Sequence, residues 1–311
     1  MIKKLLAITR LLLLCLLITM NYSYCQGQSL VIKIDSLISS IRNNNVIQFN
    51  ESYVSNYDND LLLSILEPYS EDKNILVQSA CQILNYQISQ NNLESLSIQR
   101  EVVRRLINDF YEDEALLWQS ALRMLLSFET KHFDPLISVK IRQMLDITHK
   151  LEKNTVLIIG LANISSEKEN LKKIIKNSPL EKENQYWYNS VTWGAYLALA
   201  RIGDEKYINY CLNKIKTNSD PYILANKLFN DLSYIRDYRS VNLLKEYVYS
   251  NEGIKSHYDA VGVSYAASAL ISLARCVDNL PSTINTKYPR NKDIEKARAW
   301  LKTQKTLQIK R

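Results

Sequence analysis

Apolar positions recur every three or four residues along almost the whole chain, with polar runs between the recurrences. Leu30, Ile34, Leu37, Ile38 and Ile41 share one helical face and predict a first helix over residues 30–42, closed by Asn43, Asn44 and Asn45. A shorter pattern covers 47–54. Asp58 or Asn59 caps a third helix through Leu66, which Pro68 ends. Helical patterns follow at 75–88, at 96–110 with Ile98, Val102, Leu106 and Phe110 on one side, and at 116–128; Pro135 opens another through Leu145. Seven more cover 154–164, 166–176, 187–201, 204–216, 223–234, 239–249 and 263–277, and a last one runs from 293 to 307. No stretch alternates as a strand does. Six glycines and six prolines in 311 residues are also too few for the turns of an all-β chain. The expected class is all-α.

One turn recurs. Leu199-Ala-Arg-Ile-Gly-Asp204 ends a helix and opens the next, and Leu232-Ser-Tyr-Ile-Arg-Asp237 repeats it 33 residues on. Behind the two turns Ile208 matches Val241, Cys211 matches Leu244 and Ile215 matches Val248. Leu273-Ala-Arg-Cys-Val-Asp278 stands 41 residues after Leu232, and Leu161-Ala-Asn-Ile-Ser-Ser166 stands 38 before Leu199. Gly203 suits the left-handed conformation that closes a helix. Asp204, Asp237, Asp278 and Ser166 are each placed to accept from the free amides of a following helix. Alanines at 195, 198, 200, 266, 267 and 269 allow neighbouring helices to approach closely.

These residues resemble a HEAT-type repeat of the armadillo-like class, in particular its lyase-like variety. The likeness is strongest from Leu199 to Ile215 and fades before Leu161. Arg236 and Val277 stand where the turn glycine is expected, and no copy has a proline after the aspartate. The resemblance implies a right-handed α-α superhelix, a HEAT-like solenoid in which the second helix of each pair lines a concave surface. Each pair then needs its neighbour to cover its apolar face. With no Gly/Ser-rich or Pro-rich linker, residues 58–286 are expected to be one body of repeats after a helical lead-in at 26–57.

The amino terminus reads as an export signal, residues 1–25. Lys3, Lys4 and Arg10 precede a ten-residue apolar run from Leu11 to Met20, too short for the ~20 residues of a membrane span. Ser23 and Cys25 are small residues at −3 and −1 of a cut before Gln26. The alternatives are a lipid-modified Cys25 and an uncleaved signal, and only these give a membrane association. A periplasmic or secreted protein is expected.

The chain carries a net charge of +7; without residues 1–25 it carries +4. The positive charge is uneven. Residues 287–311 hold nine Lys or Arg against Asp293 and Glu295, which leaves about −3 for 26–286. This basic terminal helix reads either as a cap over the last repeat or as a surface for an acidic partner. Export argues against nucleic acid. Cys81, Cys211 and Cys276 match no metal-ligand spacing, which leaves buried thiols or one disulfide.

Two places stand out as candidate binding residues: the aromatic cluster Tyr186, Tyr188, Trp193 and Tyr196, and the segment around His257 and Tyr258, where the repeat loop is longest. Aromatics on a helix face provide rigid contact area for a peptide or glycan, against the plainer reading of packing between repeats. His132, His149 and His257 share no ligand spacing, and no nucleophile elbow, phosphate loop or dinucleotide motif occurs. The expected role is a non-enzymatic scaffold without cofactor or metal, binding a protein or peptide. The alternatives are a carbohydrate-binding module and an enzyme with a dispersed active site.

Overall fold

The computed structural model describes residues 30–43, 57–180, 186–251, 253–254 and 263–310. The class is all-α. The expected helix at 47–54, and His257 and Tyr258, lie outside the described residues. The chain forms two compact units, 1–121 and 122–311. The division falls inside a helix, so no linker composition marks it.

The N-terminal unit contains α1 (residues 30–42), α2 (Asn59–Leu66), α3 (Ile75–Asn91) and α4 (Leu96–Phe110), and α5 (Ala115–Leu125) carries the division. Asp58 caps α2 as expected, its Oδ1 accepting from the Leu61 amide at 2.9 Å. Leu62, Leu66, Val77, Ile88, Val102, Leu106 and Phe110 are buried. The Gln99 side chain donates to the Ser89 and Asn92 carbonyls at 2.6 and 3.0 Å, tying the end of α3 to the start of α4.

The C-terminal unit continues with a broken stretch. The helix expected from Pro135 to Leu145 is a 3-10 turn Pro135–Ile137, α6 (Ser138–Gln143) and a second 3-10 turn Met144–Asp146. Asp134 and Pro135 start it in the tight form, with Asp134 Oδ1 accepting from the Leu136 amide. Then come α7 (Lys153–Leu161), α8 (Lys168–Asn177), α9 (Val191–Arg201) and α10 (Glu205–Lys216). Next, α11 (Pro221–Ile223) runs through a π-helical stretch, Leu224–Leu228, into α12 (Phe229–Ile235), followed by α13 (Tyr238–Val248), α14 (Tyr265–Cys276) and α15 (Asn291–Thr303). A two-residue antiparallel pair, Gly253–Ile254 with Val263–Ser264, precedes α14.

Packing in this unit follows a rule. Helices α7, α9, α12 and α14 touch in succession; α8 and α10 lie on α9, and α13 on α12 and α14. Trp193, Leu197, Leu228, Phe229, Leu232, Leu270 and Leu273 are fully buried along the succession. Small residues set its tightest contact. A Cβ on Gly160 would stand 2.7 Å from Ala198 Cα, so α7 and α9 meet where neither has a side chain to spare. At the far end α15 packs on α13 and α14 through buried Ile294, Ala297 and Leu301. Val277 is extended and bridges to Ile309, so the expected fourth turn does not form and Asp278 caps no helix.

The helix ends refine the turn alignment. At Gly203 φ is +88°, and the Asp204 and Gly203 amides donate to the Leu199 and Ala200 carbonyls, a Schellman closure. The same two bonds run from Ile164 to Ile159 and from Asn163 to Gly160, with Asn163 at φ +55°. The left-handed residue is therefore Asn163, two places before the position aligned on sequence. In the next turn Arg236 takes the left-handed place at φ +54°. Of the expected caps, Asp237 bonds the Arg239 amide at 2.9 Å, Asp204 makes no side-chain cap, and Ser166 lies inside a 3-10 turn.

Candidate binding site

The site grows from a buried ion pair. Lys153 opens α7 and Asp231 lies in α12. Their 78-residue separation is closed by Nζ–Oδ1 and Nζ–Oδ2 contacts of 2.8 and 3.1 Å. Trp193 Nε1 donates to Asp231 Oδ2 at 2.8 Å, and Lys153 Nζ also donates to the Tyr188 carbonyl at 2.8 Å. One carboxylate thus joins three helices packed in succession, α7, α9 and α12. A buried charge held this way is stable only because it is paired and hydrogen-bonded at once.

Above this pair opens a cleft of about 370 Å³. Asn154 and Leu157 of α7, Arg201 at the end of α9, Asn226 and Asn230 before and within α12, and Arg275 of α14 reach into it. Tyr234 donates its hydroxyl to the Leu157 carbonyl at 2.6 Å, so its ring is a wall and not a free contact. Arg201 donates to the Tyr234 carbonyl at 2.9 Å and to Thr130 Oγ1 at 3.3 Å. Arg275 and Ser272 both donate to Asn230 Oδ1. Burial pulls the Arg201 guanidinium down to about 10, and the charge of nearby Arg236 adds to the fall. Burial also lowers Arg236.

The aromatic cluster has to be corrected. Ser190 is extended and its Oγ accepts from the Trp193 amide at 3.1 Å, so the helix starts at Val191 and Trp187 lies in a separate 3-10 turn. Trp193, in α9, is fully buried with its indole on Asp231, and Tyr188, in that turn, is buried with its carbonyl accepting from Lys153 Nζ. Trp187 packs edge-on to Trp193 with centroids 4.8 Å apart, and half-buried Tyr196 stacks on Tyr210 at 4.3 Å. Tyr186 alone of the four candidate residues is largely exposed. The exposed coplanar face that a glycan needs is not formed by these four residues. Cys81, Cys211 and Cys276 are free and buried. No group of His, Cys, Asp and Glu among the described residues could hold a metal ion. No described helix is long and apolar enough to cross a membrane.

No protein-family model matches the chain, and no curated protein matches it either. The site must therefore be read from its own geometry. Sequence reasoning had marked Arg236 only as a departure from a turn glycine. It passed over Lys153 and Asp231, which have no local signature at a separation of 78 residues. Asn226, Asn230 and Arg275 are ordinary surface residues until the helices are packed.

Proposed function

We propose that the protein is an exported, non-enzymatic binding scaffold whose C-terminal helices stack as a HEAT-like right-handed solenoid and hold a protein or peptide partner. The observation that supports this most is the 370 Å³ cleft, where four successively packed helices each contribute side chains and most of the polar ones are amides and guanidinium groups. Amides and guanidinium groups recognise main-chain and carboxylate groups; they are poor nucleophiles and poor bases at neutral pH. The floor is tied by the Lys153–Asp231–Trp193 network, so presenting the cleft costs little ordering on binding. The basic carboxy-terminal residues suit a partner of acidic character, and the signal-like pattern of residues 1–25 supports a meeting outside the cytoplasm.

The test is retention of a partner by purified protein, with a variant reversed at two exposed cleft residues, Lys227→Glu and Arg275→Glu, as the control. The reading expects a specific protein from the exporting cell to be held by the parent and lost from the variant at equal helicity. An identical set of captured proteins from both would remove the cleft as the binding surface.

A further inference from the structure

Arg236 combines three features that a purely structural turn residue would not need. The first is its backbone. It sits at φ +54°, in the place that Gly203 fills in the preceding turn, and a side chain costs about 1 kcal/mol there relative to glycine. The second is its head group. Arg236 Nη1 is buried without a hydrogen-bond partner, and Nη2 reaches only the Arg275 carbonyl at 3.5 Å. The third is its position. Arg236 lines three cavities: the 370 Å³ cleft, one of about 980 Å³ and one of about 680 Å³. Strain of this kind clusters at functional sites, and a buried donor without a partner calls for an explanation.

Positive charge predominates among the neighbours. In the 980 Å³ cavity Arg236 meets Arg201, Lys131 and Lys310, against Glu129 and Asp278. In the 680 Å³ cavity it meets Arg123, Arg275, Lys287 and Lys310, against Glu129. Among the described residues no carboxylate comes within ion-pair distance of Arg201, Arg236 or Arg275, although other arginines of the chain are paired. Three guanidinium groups without an ion-pair partner thus stand at one spot of a net-negative stretch, residues 26–286, and Lys310 joins them from the basic end. Lys310 is held there: its amide donates to the Cys276 carbonyl at 3.0 Å and its Nζ to the Ala274 carbonyl at 3.2 Å.

We propose that Arg201, Arg236 and Lys310 form a carboxylate-binding site that grips an acidic side chain of a peptide segment. Guanidinium forks match a planar carboxylate with two parallel hydrogen bonds, and a partly desolvated site makes those bonds stronger than they would be in water. The bordering Glu129 and Asp278 limit the surplus charge and favour a singly charged group over a doubly charged one. Single-stranded nucleic acid fits poorly, since Tyr234, whose hydroxyl is held by the Leu157 carbonyl, is the only aromatic side chain among the described residues lining the three cavities. The site rests on the scaffold reading for its partner class and specifies which chemistry that partner supplies.

The experiment is titration calorimetry of the purified protein with acetyl-tetraglutamate amide, its tetraglutamine counterpart and inorganic phosphate, each at low and at physiological salt. The expected result is that tetraglutamate binds and weakens with salt, while tetraglutamine binds at least tenfold more weakly. Arg236→Gly should lose at least tenfold in tetraglutamate affinity with a melting temperature equal to or above the parent's. Arg236→Lys should recover part of the loss. A purely structural Arg236 would instead lower the melting temperature and leave tetraglutamate binding unchanged, which overturns the site. Equal binding of the two peptides overturns it as well. Phosphate bound through Arg236 with no preference for tetraglutamate also overturns it, in favour of a phosphate site. Failure here with partner retention still lost in Lys227→Glu, Arg275→Glu leaves the scaffold and removes only the carboxylate site; the converse pattern removes the scaffold and leaves the site.

Discussion

Replacing Asp231 by Asn isolates the term that holds α7, α9 and α12 together. The substitution keeps volume and one oxygen for the Trp193 indole, and it removes the charge that Lys153 faces. Asp231 is about 5 % exposed and the Lys153 side chain 17 %, so little water is at hand to replace the lost partner. Breaking one side of such a pair costs about 3–5 kcal/mol, and the modest exposure of Lys153 puts the expected cost nearer 3. For a unit of this size that is a fall of roughly 10 °C in Tm. Lys153→Met should cost a similar amount, because the carboxylate keeps only the indole N–H. The double variant, which carries neither charge, should cost about 3–4 kcal/mol where the two single losses add to about 6, a coupling of about 2–3 kcal/mol.

Urea unfolding read by tryptophan fluorescence suits the measurement, since Trp187, Trp193 and Trp300 belong to the C-terminal unit and Trp118 to the other. With two compact units the curves are fitted to two transitions, and only the one carrying the Trp193 change should move. A loss below about 1 kcal/mol for Asp231→Asn would refute the reasoning. So would a double variant as unstable as the two single losses added together, since additivity means that the pair is not coupled.

Three further outcomes are expected. Gly160→Ala should destabilise the C-terminal unit by about 2–3 kcal/mol in the same assay, because its methyl would collide with the Tyr234 hydroxyl and press on the Ala198 backbone, which cannot yield. Gly203→Ala, with open space around it but φ at +88°, should cost only about 1–2 kcal/mol of pure backbone strain; parity of the two alanine variants would show that the α7–α9 contact is looser than drawn. In the N-terminal unit, burial pushes Asp109 up to about 6, and the charge of Glu112 adds to the rise while the Gln82 hydrogen bond opposes it. An acid whose pKa is raised on folding gives stability below its unfolded value near 4 and loses it as pH rises through 6, so this unit should be up to ~3 kcal/mol more stable at pH 4 than at pH 8 from this group. Asp109→Asn should flatten that window, and an unchanged pH slope in the variant would show that another group governs it.

Helix positions were legible wherever a single apolar face decides them. The pattern at 96–110 and the helix Leu96–Phe110 coincide, because Ile98, Val102, Leu106 and Phe110 need no information from elsewhere to define a buried stripe. Periodicity failed where it ran on through a cap. Trp187 stands four residues before Val191 and so joined its stripe, yet Ser190 ends that continuity by accepting from the Trp193 amide. The error moved Tyr188 from a buried turn to a presumed contact face, and the aromatic binding surface followed from it. Likewise the first turn was aligned on Leu161-Ala-Asn-Ile, whereas the hydrogen bonds align Ile159 and Gly160 with Leu199 and Ala200. Side-chain identity matched one pair of residues, and the closing bonds matched another. The site fared worst because none of its determinants is local. Lys153 and Asp231 become partners only after the helices between α7 and α12 are packed, and Arg236 looks like a defect until its neighbours are known. A residue that violates the preference of its own turn is thus the one place where the sequence did mark the site. The mark could be read as chemistry only once Arg201 and Lys310 were seen to line the same cavity.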